Sequence, residues 1–297
     1  MKSSVLVVLS LLASSPCMAQ YSFTTVDYPG AAITRLVGVN DHGEMVGHYI
    51  LPGQGQVRHA FKYSHGRFEA LDPAGILGTL ESAANQINNR GDITGWYADA
   101  DKRRHGYVLR DGIVHTIDYP GAALTHVNGV SDTEVVFGQF KDVAGVFHGF
   151  ILQDGLFTQV DFPGALNTFP YYVNARGDVA GNYDNGSGIG HGFVLTKDEE
   201  WIGFDVPGAP ENSTLAIGIN DRRQILGYYR QSTGALRTFL VGLDEVFSTG
   251  GFTFIDLAEG TVTPETMNNA GVFVGFYTDP AKTTHGIIAD PTGRWRD

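Results

Sequence analysis

Residues 84–118 alternate short runs of apolar, β-branched and aromatic positions with short polar breaks. The run at 84–88 is followed by a turn at Asn89-Arg90-Gly91, and the run at 92–97 by the polar loop ADADKRR. The run at 105–110 is followed by a tight turn at Asp111-Gly112, and a last run occupies 113–118. Runs this short, bounded by Asn, Asp and Gly that tolerate positive φ, predict strands joined by hairpin turns. No stretch keeps a helical period.

The pattern recurs. HAFKYSHGRFEALDPAG begins at His59, HGYVLRDGIVHTIDYPGA at His105 and HGFILQDGLFTQVDFPGA at His148. The Asp that ends each unit stands at Asp27, Asp72, Asp118, Asp161, Asp205 and Asp256, with spacings of 43 to 51 residues. Six units of four strands predict an all-β chain folded as a six-bladed β-propeller with four-stranded blades, one domain over residues 20–297. The N-terminal strand, 23–27, is a fourth strand without a third. It is expected to pair with the strand at 285–289 and close the ring, which would remove the open sheet edges.

The motif His59-Ala60-Phe61, with variants His105-Gly106-Tyr107, His148-Gly149-Phe150, His191-Gly192-Phe193 and His285-Gly286-Ile287, resembles the bacterial extracellular HAF-repeat family from about Ser22 to Asp290. The resemblance implies an exported repeat protein and carries no assigned chemistry. The fifth unit departs, with Arg237-Thr238-Phe239 at the motif and an insertion at 244–251. The third has Ser131-Asp132-Thr133-Glu134 where four others read Asn-x-x-Gly.

Composition adds a location. Lys2, an apolar run at 5–13 and Cys17-Met18-Ala19 before Gln20 fit a secretory signal over residues 1–19, so the protein is expected outside the cytoplasm, extracellular or periplasmic. That apolar run is too short to span a membrane. Cys17 is the sole cysteine, so disulfides and thiol chemistry are excluded downstream of the signal. A formal charge of −12 and no long basic run argue against nucleic acid as a partner.

Chemistry is expected where the repeat loses its symmetry. The repeated His is expected to hydrogen-bond a neighbouring backbone group or Asp, and the Asp before Pro-Gly to accept backbone N–H groups of its turn. Tyr28, Tyr119 and Phe162, next to that Asp, could stack on a sugar. Asp99, Asp142, Asp184 and Asp279 follow the second strand of four units and suit turns better than calcium loops. The first strands align on Asn40, Asn88, Ser131, Asn174, Asn220 and Asn268. The residue before each anchor is always apolar and predicts core. The columns three and five before it vary, and from them Arg35, Asn85, His126, Asn128, Tyr171 and Glu265 are the candidate ligand-binding residues of an axial channel. Glu265, Glu81 and His126 could form an acid–base set if they converge, but no nucleophile or zinc-protease motif is present.

These features favour a secreted, non-catalytic binding or scaffold propeller that contacts a glycan, a cell-surface component or a protein. A purely structural envelope component is a further reading. The catalytic alternative is a calcium-dependent hydrolase or lyase with its site in the channel. Asn85, Asn128 and Glu265 would then supply the calcium ligands; otherwise no cofactor is expected.

Overall fold

A computed structural model describes residues 21–71, 80–186, 190–255 and 262–292. The expected signal, Asp72 and Asp256 lie outside them. The fold is a six-bladed β-propeller of four-stranded antiparallel meanders. The first strands are Ile33–Val39, Glu81–Ile87, Leu124–Val130, Asn167–Val173, Thr214–Ile219 and Val262–Met267. Sheets one to five each take their four strands in chain order. The sixth has Val262–Met267, Phe273–Thr278 and Thr284–Asp290, and its fourth strand is the N-terminal Ser22–Val26. That strand runs antiparallel to the third, with Ser22 opposite Asp290 and Val26 opposite Gly286. A single bridge, Ile33 to Thr284, also joins sheets one and six.

The HAF-type motif divides its labour by strand alternation. Its aromatic position is core: Phe61, Tyr107, Phe150, Phe193 and Phe239 are each at most 1% exposed, a burial that stabilises by about 1.5–3 kcal/mol per side chain. The residue before each anchor is also buried, as expected: Val39, Ile87, Val130, Val173, Ile219 and Met267. The apolar residues form clusters between neighbouring sheets. One joins Val46 and Ala60 of the first to Ala84, Ile87 and Ile93 of the second. Another joins Leu36 and Val39 of the first to Val272, Val274 and Ile288 of the sixth.

The anchors tie the sheets together at one end of the channel. Each Asn Oδ1 accepts the backbone N–H groups two and four residues on, as at His42 and Glu44 for Asn40. In four of the five the Nδ2 also reaches the next sheet: Asn40 donates to Asn88 O, Asn88 to Ser131 O, Asn174 to Asn220 O and Asn268 to Asn40 O, at 3.0–3.3 Å, while Asn220 donates to Gln224 Oε1 in its own turn. Ser131 interrupts this pattern. Its shorter hydroxyl bonds Val135 N–H within its own turn, and Glu134 takes a left-handed φ of 69° where four other sheets have glycine and the fifth has Arg223, at 59°.

Candidate functional site

A β-bulge interrupts all six first strands at the same place. The strand register skips Val37, Asn85, Asn128, Tyr171, Ile217 and Glu265. These are the residues three before each anchor. A bulge carries one unpaired residue and re-aims its side chain. All six bulged residues line one cavity of about 300 Å³. The irregularity thus turns a column that varies between repeats into the wall of a pocket.

The rest of that wall comes from three places. His126 and Leu215 lie five before their anchors. Trp96 and Tyr228 sit on second strands, each just after a glycine, and Arg58 precedes the third strand of the first sheet. Tyr172 and Thr266, next to bulged residues, form the floor. The glycines of the second strands are required by close backbone approach. A Cβ at Gly47, Gly95, Gly138, Gly181, Gly227 or Gly275 would collide with the carbonyl oxygen five before the anchor of the same sheet.

Five of the six candidates therefore converge: Asn85, His126, Asn128, Tyr171 and Glu265. Arg35 does not line the cavity; its guanidinium stacks on Phe276 at 4.0 Å. Glu81 does not line it either, and pairs with Arg104 at 3.1 Å. Trp96, Tyr228 and Arg58 were not expected. The signal for the first two is the variable residue after each second-strand glycine: His48, Trp96, Gln139, Asn182, Tyr228 and Phe276. Asn85 and Asn128 each donate Nδ2 to a carbonyl of the next sheet, Val127 O at 3.0 Å and Pro170 O at 2.6 Å.

Charge is distributed unevenly around the cavity. On the side of sheets one to three lie Arg35, Arg58, Arg104, His48 and His126. Burial, with the cations Arg58 and Arg35 nearby, pushes His48 down to about 3. Burial, with Arg104 and Arg58, pushes His126 to about 4. Both imidazoles are therefore neutral near pH 7. On the other side burial raises Glu265 to about 7, against the opposing pull of Arg35, and raises Tyr228 to about 12. Among the described residues no group of three or more His, Cys, Asp or Glu is placed to hold a metal ion.

Four of the five repeated histidines pair with Asp side chains, whereas His59 Nε2 meets Gln54 Oε1 at 2.8 Å. His105 Nδ1 meets Asp118 at 2.9 Å and its Nε2 meets Asp99 at 3.1 Å. His285 lies likewise between Asp27 and Asp279. His148 contacts Asp161 and, at 3.6 Å, Asp142, while His191 contacts Asp205. The Asp before Pro-Gly thus bonds the histidine of the neighbouring strand rather than the expected turn amides. Asp99, Asp142, Asp184 and Asp279 do accept loop N–H groups, as turn-forming residues would. Tyr28, Tyr119 and Phe162 each have one ring face covered by the protein. They stack on Tyr49, Phe140 and Tyr183 at 3.6–3.7 Å and 4°.

No family model matches the sequence, and no curated protein matches it. Solved structures do. A subtype N11 neuraminidase-like protein of A/flat-faced bat/Peru is similar over 93% of this chain and 95% of that one, at 11% identity and a TM-score of 0.53. A triple arginine-to-alanine mutant of AofleA from Arthrobotrys oligospora is similar over 90% and 86%, at 10% identity and a TM-score of 0.54. The Aleuria aurantia lectin, whose description gives a six-bladed β-propeller fold and fucose recognition, is similar over 80% and 77%, at 11% identity and a TM-score of 0.45. The likeness is one of fold.

Proposed function

We propose that this protein is an exported, HAF-type sugar-binding propeller that takes its ligand in the axial cavity. The observation that carries this is the conserved place of the bulge: six first strands aim six different residues into one cavity of about 300 Å³. Its wall combines flat aromatic surface at Trp96, Tyr171 and Tyr228 with amide and carboxyl groups at Asn85, Asn128 and Glu265. A pocket with apolar area and a few convergent polar groups suits a small ligand, and that mixture matches the apolar faces and hydroxyl edges of a sugar ring. The support is this geometry, since one fold hosts many activities.

A glycan array probed with the wild type and with Tyr228→Ala tests the reading. Binding that disappears in the variant supports it. Binding unchanged by that variant places the ligand elsewhere, and no binding removes the sugar reading. Cell fractionation tests export. One observation favours a hydrolytic reading: burial leaves Glu265 partly protonated near neutrality in the same cavity, the state a general acid requires. Calcium on Asn85, Asn128 and Glu265 belongs to this second reading. Release of p-nitrophenol from aryl glycosides, with and without calcium, separates it from simple binding.

A further inference from the structure

The chain as a whole is strongly acidic, with 32 Asp and Glu against 20 Lys and Arg. The wall formed by sheets one to three reverses that sign. Arg58 lines the cavity and feels the like charges of Arg104 and Arg35. Burial and those two cations depress its own affinity for a proton. Arg104 is neutralised by Glu81. Glu81 offsets part of the charge at Arg58 and Glu265 lies within electrostatic reach of Arg35, but no carboxylate forms a salt bridge with either arginine among the described residues, and Arg35 Nε is buried without a hydrogen-bond partner. His48 Nδ1 and His126 Nε2 are buried and unpartnered too. His48 itself is 7% exposed. Trp96 lies among these groups: Arg104 stacks over its ring at 4.2 Å, Arg58 at 5.5 Å and His126 at 5.4 Å.

Holding like charges together beside a cavity is unfavourable unless something negative arrives. We propose that the cavity binds a carboxylate-bearing sugar, a uronic-acid type of unit, with its carboxylate on the Arg58 side and its hydroxyls toward Asn128, Tyr171, Tyr228 and Glu265. The inference rests on the sugar-binding reading and adds the charge of the ligand. A guanidinium matches a carboxylate in a planar, two-bond geometry. The cavity's volume suits a single sugar unit rather than an extended chain. The opposite wall offers the amide, phenol and carboxyl groups that hydroxyls require.

Isothermal titration of the protein with D-glucuronate, D-galacturonate and N-acetylneuraminate, against D-glucose, D-galactose and D-glucose 6-sulfate, tests this. The expected result is binding of at least one carboxylate sugar and weaker binding of its neutral counterpart. Arg58→Gln should lose about tenfold to a hundredfold of that affinity, the range for a hydrogen bond to a charged group. His126→Asn provides a second variant, and unchanged melting of either variant shows that it is folded. Equal affinity for acidic and neutral sugars, unaffected by Arg58→Gln, overturns this inference and leaves the sugar reading standing. Binding of the sulfate ester alone overturns the carboxylate assignment. No heat with any of the sugars overturns both.

Discussion

Replacing Gly95 with alanine tests whether close strand approach beside the bulge builds the pocket. The new Cβ would collide with Ala83 O and lie 2.9 Å from Tyr107 Oη. Tyr107 is 1% exposed and its phenol donates to that same carbonyl at 3.2 Å. Overpacking a well-packed strand pair costs about 1–3 kcal/mol, and a buried hydroxyl stripped of its partner a further ~1–3 kcal/mol. We therefore expect a loss of about 4 kcal/mol, a fall of roughly 8–16 °C in Tm for a chain of this size. Gly112→Ala is the control. Its φ of +74° disfavours a side chain, but nothing lies within 4 Å of its Cβ, so only the backbone cost of about 1 kcal/mol remains. Circular-dichroism melts of the two variants decide the matter, and Trp96 fluorescence reports the neighbouring wall. Equal shifts in Tm would refute the argument that backbone contact dictates these glycines.

The contribution of the His–Asp pairs to stability should be greatest between the ordinary Asp and His values, 3.8 and 6.5, while the buried neutral His48 and His126 oppose folding increasingly as pH falls below 6.5. His105 and His285 are raised: burial opposes their protonation, but hydrogen bonds to Asp118 and Asp99, or Asp27 and Asp279, outweigh it. Their contribution is complete below pH 6.5 and is lost as pH climbs through the raised values. Asp99 is lowered chiefly by His105, and Asp142 and Asp279 chiefly by loop N–H groups. Their contribution is lost as pH falls below 3.8. Melts from pH 3 to 9 check both limbs, and His105→Asn should flatten the upper one. Asn268→Ala removes a donor to Asn40 O and an acceptor for Ala270 and Val272, so urea unfolding should show a loss of about 1–3 kcal/mol. Glu134→Gly relieves a left-handed residue but removes contacts with Arg90 and Arg110 at 2.8 and 3.2 Å. The two effects oppose each other and the ion pairs are solvent-screened, so Tm should barely move. Deprotonation of Glu265, between Arg35, Tyr171 and Tyr228, adds negative charge to the cavity. Affinity for a carboxylate sugar should then drop as pH passes 7, and Glu265→Gln should abolish that drop.

The repeat was legible because each strand and turn is specified by local residues. Second-unit strands expected at 92–97 and 113–118 occur as Ile93–Ala98 and Ile113–Ile117. The apolar column before the anchors was equally plain, since Val39 through Met267 keep one character in six copies. The variable column at Asn85, Asn128, Tyr171 and Glu265 was found by its loss of symmetry, but the bulge that aims it was not. Alternation of polar and apolar residues does not announce one extra residue in a strand. Trp96 and Tyr228 were missed because they read as ordinary strand positions, and Arg58 because it stands in a loop whose path no periodicity sets. Arg35 was misplaced for a related reason: equal position along equivalent strands does not give equal direction when Phe276 offers a long cation a stacking partner.

Tyr172 is the one described residue that borders both this cavity and a second, of about 40 Å³, at the anchor end. Gln86 and Thr266 hold the same position in alternate sheets, where the intervening residues are Gly38, Gly129 and Gly218. Gln86 Oε1 occupies the space that a Cβ on Gly129 would take, so at this level a side chain of one sheet fills a gap that a glycine leaves in the next. If the channel is blocked at this level, a sugar bound as proposed in the larger cavity would enter and leave by one mouth, and a polymer could not thread through. The protein would then count termini rather than length. Cutting a polysaccharide into fragments with the same end groups should multiply its binding capacity per unit mass.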